Sequence, residues 1–274
     1  MENLEPVYLI ATDEAGYGPK LGPLVITASI WRLPRSVDSK DPTALQACFS
    51  KLIEPIEIER SVLSVDDSKV VFKPRSRRNQ HHDAGEYPAY FTLERATAAG
   101  LRWLHPTTAS MGVQAILQPE DINEIGERRW LQGLLESQIG LEVADPVVSH
   151  WNVGDAKLMG IKSRIITASK FNAICETGLN KSDLLSSVTL DLVRRALAVL
   201  PDDGAECIVR CDRHGGRRYY SGPLQSVFPE SLPMILEENS RESLYRVEEG
   251  RFRFQIAFTV KGDRFAPVAF SSMV

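Results

Sequence analysis

The sequence predicts an α/β fold in which a central mixed β-sheet is flanked by helices. Nearly continuous apolar residues over 7–13 and 24–31 predict two buried strands, and the short glycine- and proline-containing link between them predicts an antiparallel pair. Apolar residues at helical spacing over 91–104, and again after Asp183, predict two helices. Strands and helices in this mixture are typical of an α/β domain.

Length and composition are those of an ordinary globular protein. With 274 residues, of which 43% are apolar and 25% charged, the chain suits one large domain or two small ones. No apolar run approaches the roughly 20 residues needed to cross a bilayer, and the acidic N-terminus lacks the pattern of a signal peptide. We therefore expect a cytoplasmic protein without a membrane partner. The net charge of −4 argues against a large nonspecific polyanion-binding surface.

The middle of the chain has a weaker pattern. Residues 36–62 are predicted to be partly helical and peripheral, and a basic, proline-containing loop is expected from Val65 to about residue 88. Within residues 105–160 we predict one helix, at about 119–137, and an inserted subdomain on the core.

The C-terminal third returns to a clear pattern. A buried strand is predicted over 207–212, a hairpin is predicted from the alternating runs 243–248 and 251–260, and a helix is predicted from Pro267. Cys207, Cys211 and His214 suggest zinc, but two residues four apart in a strand share a face. The two cysteines are therefore better explained as small core residues.

Three separate apolar runs end in acidic residues, namely Asp13 with Glu14, Asp212, and Asp263. If these strands are neighbours, four carboxylates meet at one edge of the sheet, where like charges raise one another's pKa values. Divalent cations relieve that repulsion, and two of them about 3.5–4 Å apart suit the hydrolysis of a phosphodiester. The alternative is that unrelated acids lie at three strand ends, and the spacing alone leaves both interpretations open.

Short motifs occur in a definite order along the chain. Residues 13–19 read DEAGYGP and are followed by LGPLV, residues 67–69 read DSK, and residues 260–263 read VKGD before a helix of small residues. In wording and order these motifs resemble those of ribonuclease HII, the type 2 ribonuclease H family, of which this chain looks like a divergent member. The resemblance covers both ends of the chain and is weak over 105–160.

The resemblance implies a ribonuclease H-like fold and a metal-dependent endoribonuclease. Its activity would be cleavage of the RNA strand of RNA–DNA hybrids, or of ribonucleotides in duplex DNA, with two Mg²⁺ or Mn²⁺ ions. The implied catalytic and metal-binding residues are Asp13, Glu14, Asp212 and Asp263. The implied substrate contacts are Lys69 on a phosphate and the turn Gly16, Tyr17 and Gly18 on a ribonucleotide 2′-hydroxyl.

The chain departs from the family pattern at several points. Tyr17 replaces an arginine, and the family's region after the small-residue helix is missing from this chain. Asp212 is followed by the basic and aromatic run 213–220, in which Arg217 and Arg218 are predicted to bind phosphates. The plain alternative is a surface loop with two half-buried tyrosines. His214 is interpreted either as a proton shuttle or as a solvated loop histidine. The functions left open are a nuclease acting on DNA and a nucleic-acid-binding module with little catalysis.

Overall fold

A computed structural model describes residues 6–15, 22–58, 61–72 and 90–274. The strands are β1 Val7–Ala15, β2 Leu24–Leu33, β3 Ile56–Ile58, β4 Ser61–Leu63, β5 Ser110–Gly112, β6 Gln138–Gly140, β7 Lys157–Ile166, β8 Glu206–Asp212, β9 Met234–Glu238, β10 Glu242–Glu249 and β11 Phe252–Thr259. The helices are α1 Pro42–Ala47, α2 Ser50–Ile53, α3 Ser68–Val71, α4 Phe91–Leu104, α5 Pro119–Gly126, α6 Gln132–Glu136, α7 Asp145–Trp151, α8 Ala168–Glu176, α9 Lys181–Leu197, α10 Ser221–Val227 and α11 Ala266–Met273.

Within these described ranges, a mixed sheet of seven strands has the order β7-β2-β1-β8-β11-β10-β9. The three central strands β1, β8 and β11 run parallel to one another. Strand β2 is antiparallel to both β1 and β7, and the hairpin of β10 and β11 extends the other side. The sequence prediction of an α/β fold with a central mixed sheet is confirmed.

Helices cover both faces of the sheet. Along β1 the side chains alternate: Leu9 and Ala11 join the core on the side of α4 and α11, whereas Tyr8 and Ile10 join the core on the side of α9 and α10. This alternation follows from the two-residue period of a strand. Because β1 is buried on both faces, its apolar run is continuous rather than alternating.

Most predicted elements agree with the structure. The strands predicted over 7–13, 24–31 and 207–212, the hairpin after residue 242 and the helix over 91–104 are all present. Helix α9 begins after Asn180, whose side chain accepts a hydrogen bond from the backbone of Asp183 in a capping box. Cys207 and Cys211 are both buried in the core beside α9, which confirms them as small core residues.

The structure differs from the prediction at several points along the chain. The single helix predicted over 119–137 is divided into α5 and α6, because α5 ends at Gly126 and a turn over 128–131 follows. The segment 36–62 is partly helical, as predicted, but it also contains β3 and the start of β4, which pair antiparallel. Helices α8 and α10 and the edge strand β9 were not predicted, since each is short and lacks a clear apolar period.

The segment 105–160 shares its core with the rest of the chain, and its description as an inserted subdomain stays a prediction. Trp151 of α7 packs edge-on against Phe270 of α11, with ring centroids 5.9 Å apart. A buried ion pair of 2.7 Å joins Asp121 of α5 to Arg164 of β7. Among the helices within the described ranges, none is both long and apolar enough to cross a membrane.

Candidate functional site

The acidic residues predicted from the strand ends lie at one edge of the sheet. Asp13 and Glu14 are near the end of β1, and Asp212 is the last residue of β8. Since β1 and β8 are neighbouring parallel strands, their carboxyl ends meet. One carboxylate oxygen from each of these three residues lies within 4.8 Å of the other two.

Asp263 reaches the same edge from β11 but is not part of that three-residue group. Strand β11 ends opposite Asp212, and Asp263 follows in the 3₁₀ turn Gly262–Arg264. Its side chain hydrogen-bonds to the side chain of Asp67, a residue that the sequence analysis did not single out. Asp67 is the first residue of the motif DSK, in which the resemblance implies a role for Lys69 alone. The structure therefore places a fifth carboxylate beside the predicted four.

Backbone groups hold two of the carboxylates in place. The amide of Glu14 donates to Oδ1 of Asp13 at 2.8 Å, and the amide of Gly262 donates to Oδ1 of Asp212 at 2.7 Å. Gly262 packs directly on the end of β8, where an added Cβ would lie 2.9 Å from the Cα atom of Asp212. Only glycine permits this approach, so the motif KGD has a geometric reason for its middle residue.

Burial and mutual repulsion make the ionised form of these carboxyl groups costly. Burial, followed by the charges of Glu14 and Asp212, raises the pKa of Asp13 well above its usual value. Burial and then the charge of Asp212 raise the pKa of Glu14 to about 7. Burial also raises the pKa of Asp212, and burial together with Asp67 raises the pKa of Asp263. A bound cation would reverse these shifts.

Carboxylate oxygens are the ligands that hard divalent cations such as Mg²⁺ and Mn²⁺ prefer. Asp13, Glu14 and Asp212 provide three of them at one point of the sheet edge, with Asp263 beside them. The donor set and its unfavourable accumulated charge therefore fit a divalent cation.

Two lysines bring positive charge to the acids. Lys69 is exposed on α3, and Asp67 caps that helix by accepting a hydrogen bond from the Lys69 amide at 2.8 Å. The charge of Lys69 opposes the burial that raises the pKa values of Glu14, Asp212 and Asp263. Lys181, the first residue of α9, acts in the same way on Glu14 and was not predicted, because it stands inside a capping motif.

The loop that follows Asp212 has one buried and one exposed part. Arg217 forms an ion pair with Asp183 and donates to the Ser182 hydroxyl at 3.1 Å, so it ties the loop to α9. Arg218 and Tyr219 are exposed, the latter by 64%.

The buried part of this loop corrects two interpretations. Tyr220 is fully buried and stacks on Phe258 with ring centroids 3.6 Å apart, so the loop does not carry two half-buried tyrosines. His214 is also buried, and its Nδ1 lies 2.9 Å from the Ser186 hydroxyl. Burial and then the charge of Arg217 lower the pKa of His214 to about 3. The ring is uncharged at neutral pH and away from water, which contradicts both the solvated histidine and the proton shuttle.

The predicted contacts of Gly16, Tyr17 and Gly18 with a ribonucleotide lie outside the described residues. They stay a prediction from the resemblance. Comparison of the chain with known protein families, with curated proteins and with solved structures found no match.

Proposed function

We propose that the protein is a metal-dependent endonuclease of the ribonuclease H type, which cleaves the RNA strand of RNA–DNA hybrids or ribonucleotides in duplex DNA. The observation that carries this proposal is the approach of the Asp13, Glu14 and Asp212 carboxylates at the ends of two parallel strands. The mixed sheet with helices on both faces agrees with a ribonuclease H-like fold.

Each acidic residue has a definite part in this proposal. Asp13, Glu14 and Asp212 would hold a divalent cation, and Asp263 would extend the ligand set toward Asp67. When bound, divalent cations supply the charge that activates water and stabilises the departing 3′ oxygen. The amides of Glu14 and Gly262 orient Asp13 and Asp212 before any ligand arrives, which lowers the cost of organising the site.

The basic residues account for a polyanionic substrate at a site rich in carboxylates. Lys69 and Lys181 have their charges near Glu14, and each would also attract a phosphate of the scissile strand. Arg218 is exposed in the loop after Asp212, where it would contact a phosphate of the nucleic acid farther from the cleaved bond. Arg217 is engaged by Asp183, so in this proposal it supports the loop rather than binding phosphate directly.

The test is digestion of four matched duplexes by the purified protein with Mg²⁺, with Mn²⁺ and with EDTA. The duplexes are an RNA–DNA hybrid, all-DNA, all-RNA and DNA that contains one ribonucleotide. We expect cleavage at ribonucleotides that leaves a 5′-phosphate and a 3′-hydroxyl and that stops in EDTA. Asp13→Asn and Asp212→Asn should each lower the rate by about 100-fold or more, because several kcal/mol of charge stabilisation are lost.

Asp202→Asn is the matched control, since Asp202 is an exposed acid that precedes β8 at the opposite edge of the sheet. It should cleave like the unchanged protein. Cleavage of all-DNA duplex as fast as of the hybrid would contradict the proposed substrate. Binding of the duplexes without cleavage under either metal would contradict the proposed nuclease.

A further inference from the structure

The turn between α5 and α6, residues 128–131, presents a large aromatic side chain to solvent. Trp130 is 66% exposed, whereas Trp31 and Trp151 are fully buried. Arg129 beside it is exposed as well. Tryptophan has more apolar surface to bury than any other side chain, so an exposed tryptophan next to an arginine is a feature typical of binding surfaces.

This α5–α6 turn is firmly attached to the fold. Leu131 is buried in a small core with Leu117, Ile125 and Ile165, and its amide donates to the carbonyl of Arg128 at 2.8 Å. The Arg128 guanidinium donates to the Ser169 hydroxyl at 3.5 Å. Trp130 therefore extends from an anchored turn. Binding a ligand there would cost less conformational entropy than binding to a flexible loop.

The α5–α6 turn lies at the same edge of the sheet as the acidic residues. Val25 of β2 pairs with Ala15 of β1 on one side and with Ile165 of β7 on the other, so β1 and β7 end at the same level. Just after β7, Thr167 donates a hydrogen bond to Glu124 of α5. One strand separates β7 from β1, which corresponds to about 10 Å across the sheet.

A second exposed arginine with an aromatic neighbour lies on the other side of the acidic residues. Arg218 and Tyr219 follow β8, and the Ser243 hydroxyl donates to the Arg218 carbonyl at 2.7 Å near the start of β10. The acidic residues therefore lie between two exposed pairs of an arginine and an aromatic residue. An arginine next to an aromatic ring suits a nucleic-acid strand, because the arginine binds a phosphate and the ring stacks on a base.

We propose that Arg129 and Trp130 form a binding subsite for an unpaired nucleotide of the substrate, with the base stacked on Trp130 and a neighbouring phosphate on Arg129. The nucleotide must be unpaired, because inside a duplex both faces of a base are covered by its neighbours. This inference rests on the proposed function, since it assigns the subsite to the strand that the acidic residues cleave. It implies a preference for hybrids with a single-stranded flank over blunt hybrids.

The test is a binding measurement in EDTA with the Asp13→Asn protein, so that no cleavage occurs. The probes are a fluorescein-labelled 12-nucleotide oligouridine, a blunt 12-base-pair RNA–DNA hybrid and the same hybrid with an unpaired extension of its RNA strand. Trp130→Ala should weaken binding of the single strand by about 5- to 100-fold, the usual worth of one stacked base. Trp130→Phe keeps an aromatic ring and should bind within about threefold of the parent. Arg129→Ala should reduce the salt dependence of log K by about 0.7, the value for one phosphate contact on a single strand.

Tryptophan fluorescence is a second, independent measure. The single strand should quench the emission of the parent protein, and Trp130→Phe should remove most of that quenching while binding is retained. Leu232→Ala changes an apolar residue that is 85% exposed before β9 and is the control, with unchanged binding and quenching. Arg129, Trp130 and Leu232 are all exposed, so their substitutions should leave the fold intact. The melting temperature of each variant checks this.

The outcomes separate this inference from the proposed function. If Trp130→Ala and Arg129→Ala bind the single strand as the parent does, the subsite is overturned, even when the unchanged protein cleaves hybrids. Equal affinity of the parent for the blunt hybrid and for the hybrid with the unpaired extension also overturns it. If both variants lose binding but the unchanged protein cleaves no duplex, the subsite stands and the nuclease proposal fails.

Discussion

At the scale of single residues, the candidate site is held in an unfavourable electrostatic state. Burial and neighbouring charges raise the pKa of Glu14 to about 7 and raise that of Asp13 well above its usual value. Carboxyl groups with raised pKa values are common where a protein prepares a site for a cation or a reaction. A bound cation would stabilise the ionised carboxylates and so remove this unfavourable contribution to the free energy of the folded protein.

Without cations, the protein should lose stability as pH rises. The pKa of Glu14 is about 7 in the folded protein and about 4.5 when unfolded, so the folded state binds more protons between these values. Its contribution is fully present below pH 4.5 and is lost as pH rises through about 7, to an extent of about 3 kcal/mol. Denaturant unfolding in EDTA across this range measures the loss.

Glu14→Gln should reduce this pH dependence, because the amide does not titrate, while Asp13 and Asp212, whose pKa values are also raised by burial, keep the rest of it. Glu136→Gln, at an exposed position of α6, is the control and should keep the slope of the unchanged protein. A cation-free protein whose stability rises from pH 5 to pH 7, with or without Glu14, would contradict the prediction.

Gly262 should be indispensable to the geometry of Asp212. In Gly262→Ala the new Cβ would lie 2.9 Å from the Cα atom of Asp212 and 3.1 Å from the Cys211 carbonyl. The turn must move away from β8, so we expect a destabilisation of about 1–3 kcal/mol and a loss of the proposed nuclease activity. Gly216→Ala is the matched control, since nothing lies within 4 Å of its added Cβ. Equal stability and activity of the two variants would show that the close approach has no consequence.

At the scale of elements, helix α9 connects the sheet to the loop that follows Asp212. Its capping residue Asn180 fixes the first turn, from which the Ser182 hydroxyl donates to the His214 carbonyl at 3.1 Å. Arg217 pairs with Asp183 of the same turn. The start of α9 therefore sets both the position of Lys181 and the course of the loop.

Removing this cap should weaken the helix and loosen the loop together. We expect Asn180→Ala to lower the free energy of unfolding by about 1 kcal/mol, because the Asp183 amide at the helix start loses its side-chain acceptor. Asn180→Ser keeps a capping oxygen and should stay close to the unchanged protein. Urea unfolding measures the stability, and hydrogen exchange over 213–220 reports on the loop. Unchanged exchange there in a destabilised Asn180→Ala protein would show that the loop does not depend on the cap.

At the scale of the whole molecule, the acidic site joins strands that are far apart in sequence. β1, β8 and β11 must pair in parallel before the carboxylates meet, so a ligand that binds all of them should stabilise the complete sheet. The same requirement makes the mutual repulsion of these carboxylates, when no cation is bound, a cost to the folded state as a whole.

Mg²⁺ or Mn²⁺ should raise the melting temperature at pH 8. At a concentration 100 times the dissociation constant the gain is about 2.7 kcal/mol. Asp13→Asn should melt higher than the unchanged protein in EDTA, because it removes a buried carboxyl group whose ionised form is costly, and should gain little from the cation. Calorimetric unfolding with and without cation measures both effects. An Asp13→Asn protein with lower stability in EDTA and a full response to Mg²⁺ would exclude Asp13 as a ligand.

Much of the central sheet could be predicted because its signals are local. The continuous apolar run of β1, the short link to β2 and the alternating arms of β10 and β11 each depend on neighbouring residues only. Local signals failed where an element depends on distant contacts. The turn that divides α5 from α6 is held by Leu131 in a core shared with Ile165, and the burial of His214 depends on α9 and β11.

Patterns of consecutive residues are enough to predict acidic residues near the ends of three strands of an α/β protein, because a strand and the residues that follow it are adjacent in sequence. Which acids meet depends on the tertiary structure. It groups Asp13, Glu14 and Asp212 and pairs Asp263 with Asp67. It also exposes Trp130 at the same edge, since strand order and the packing of α5 against β7 arise from long-range contacts that no local pattern encodes.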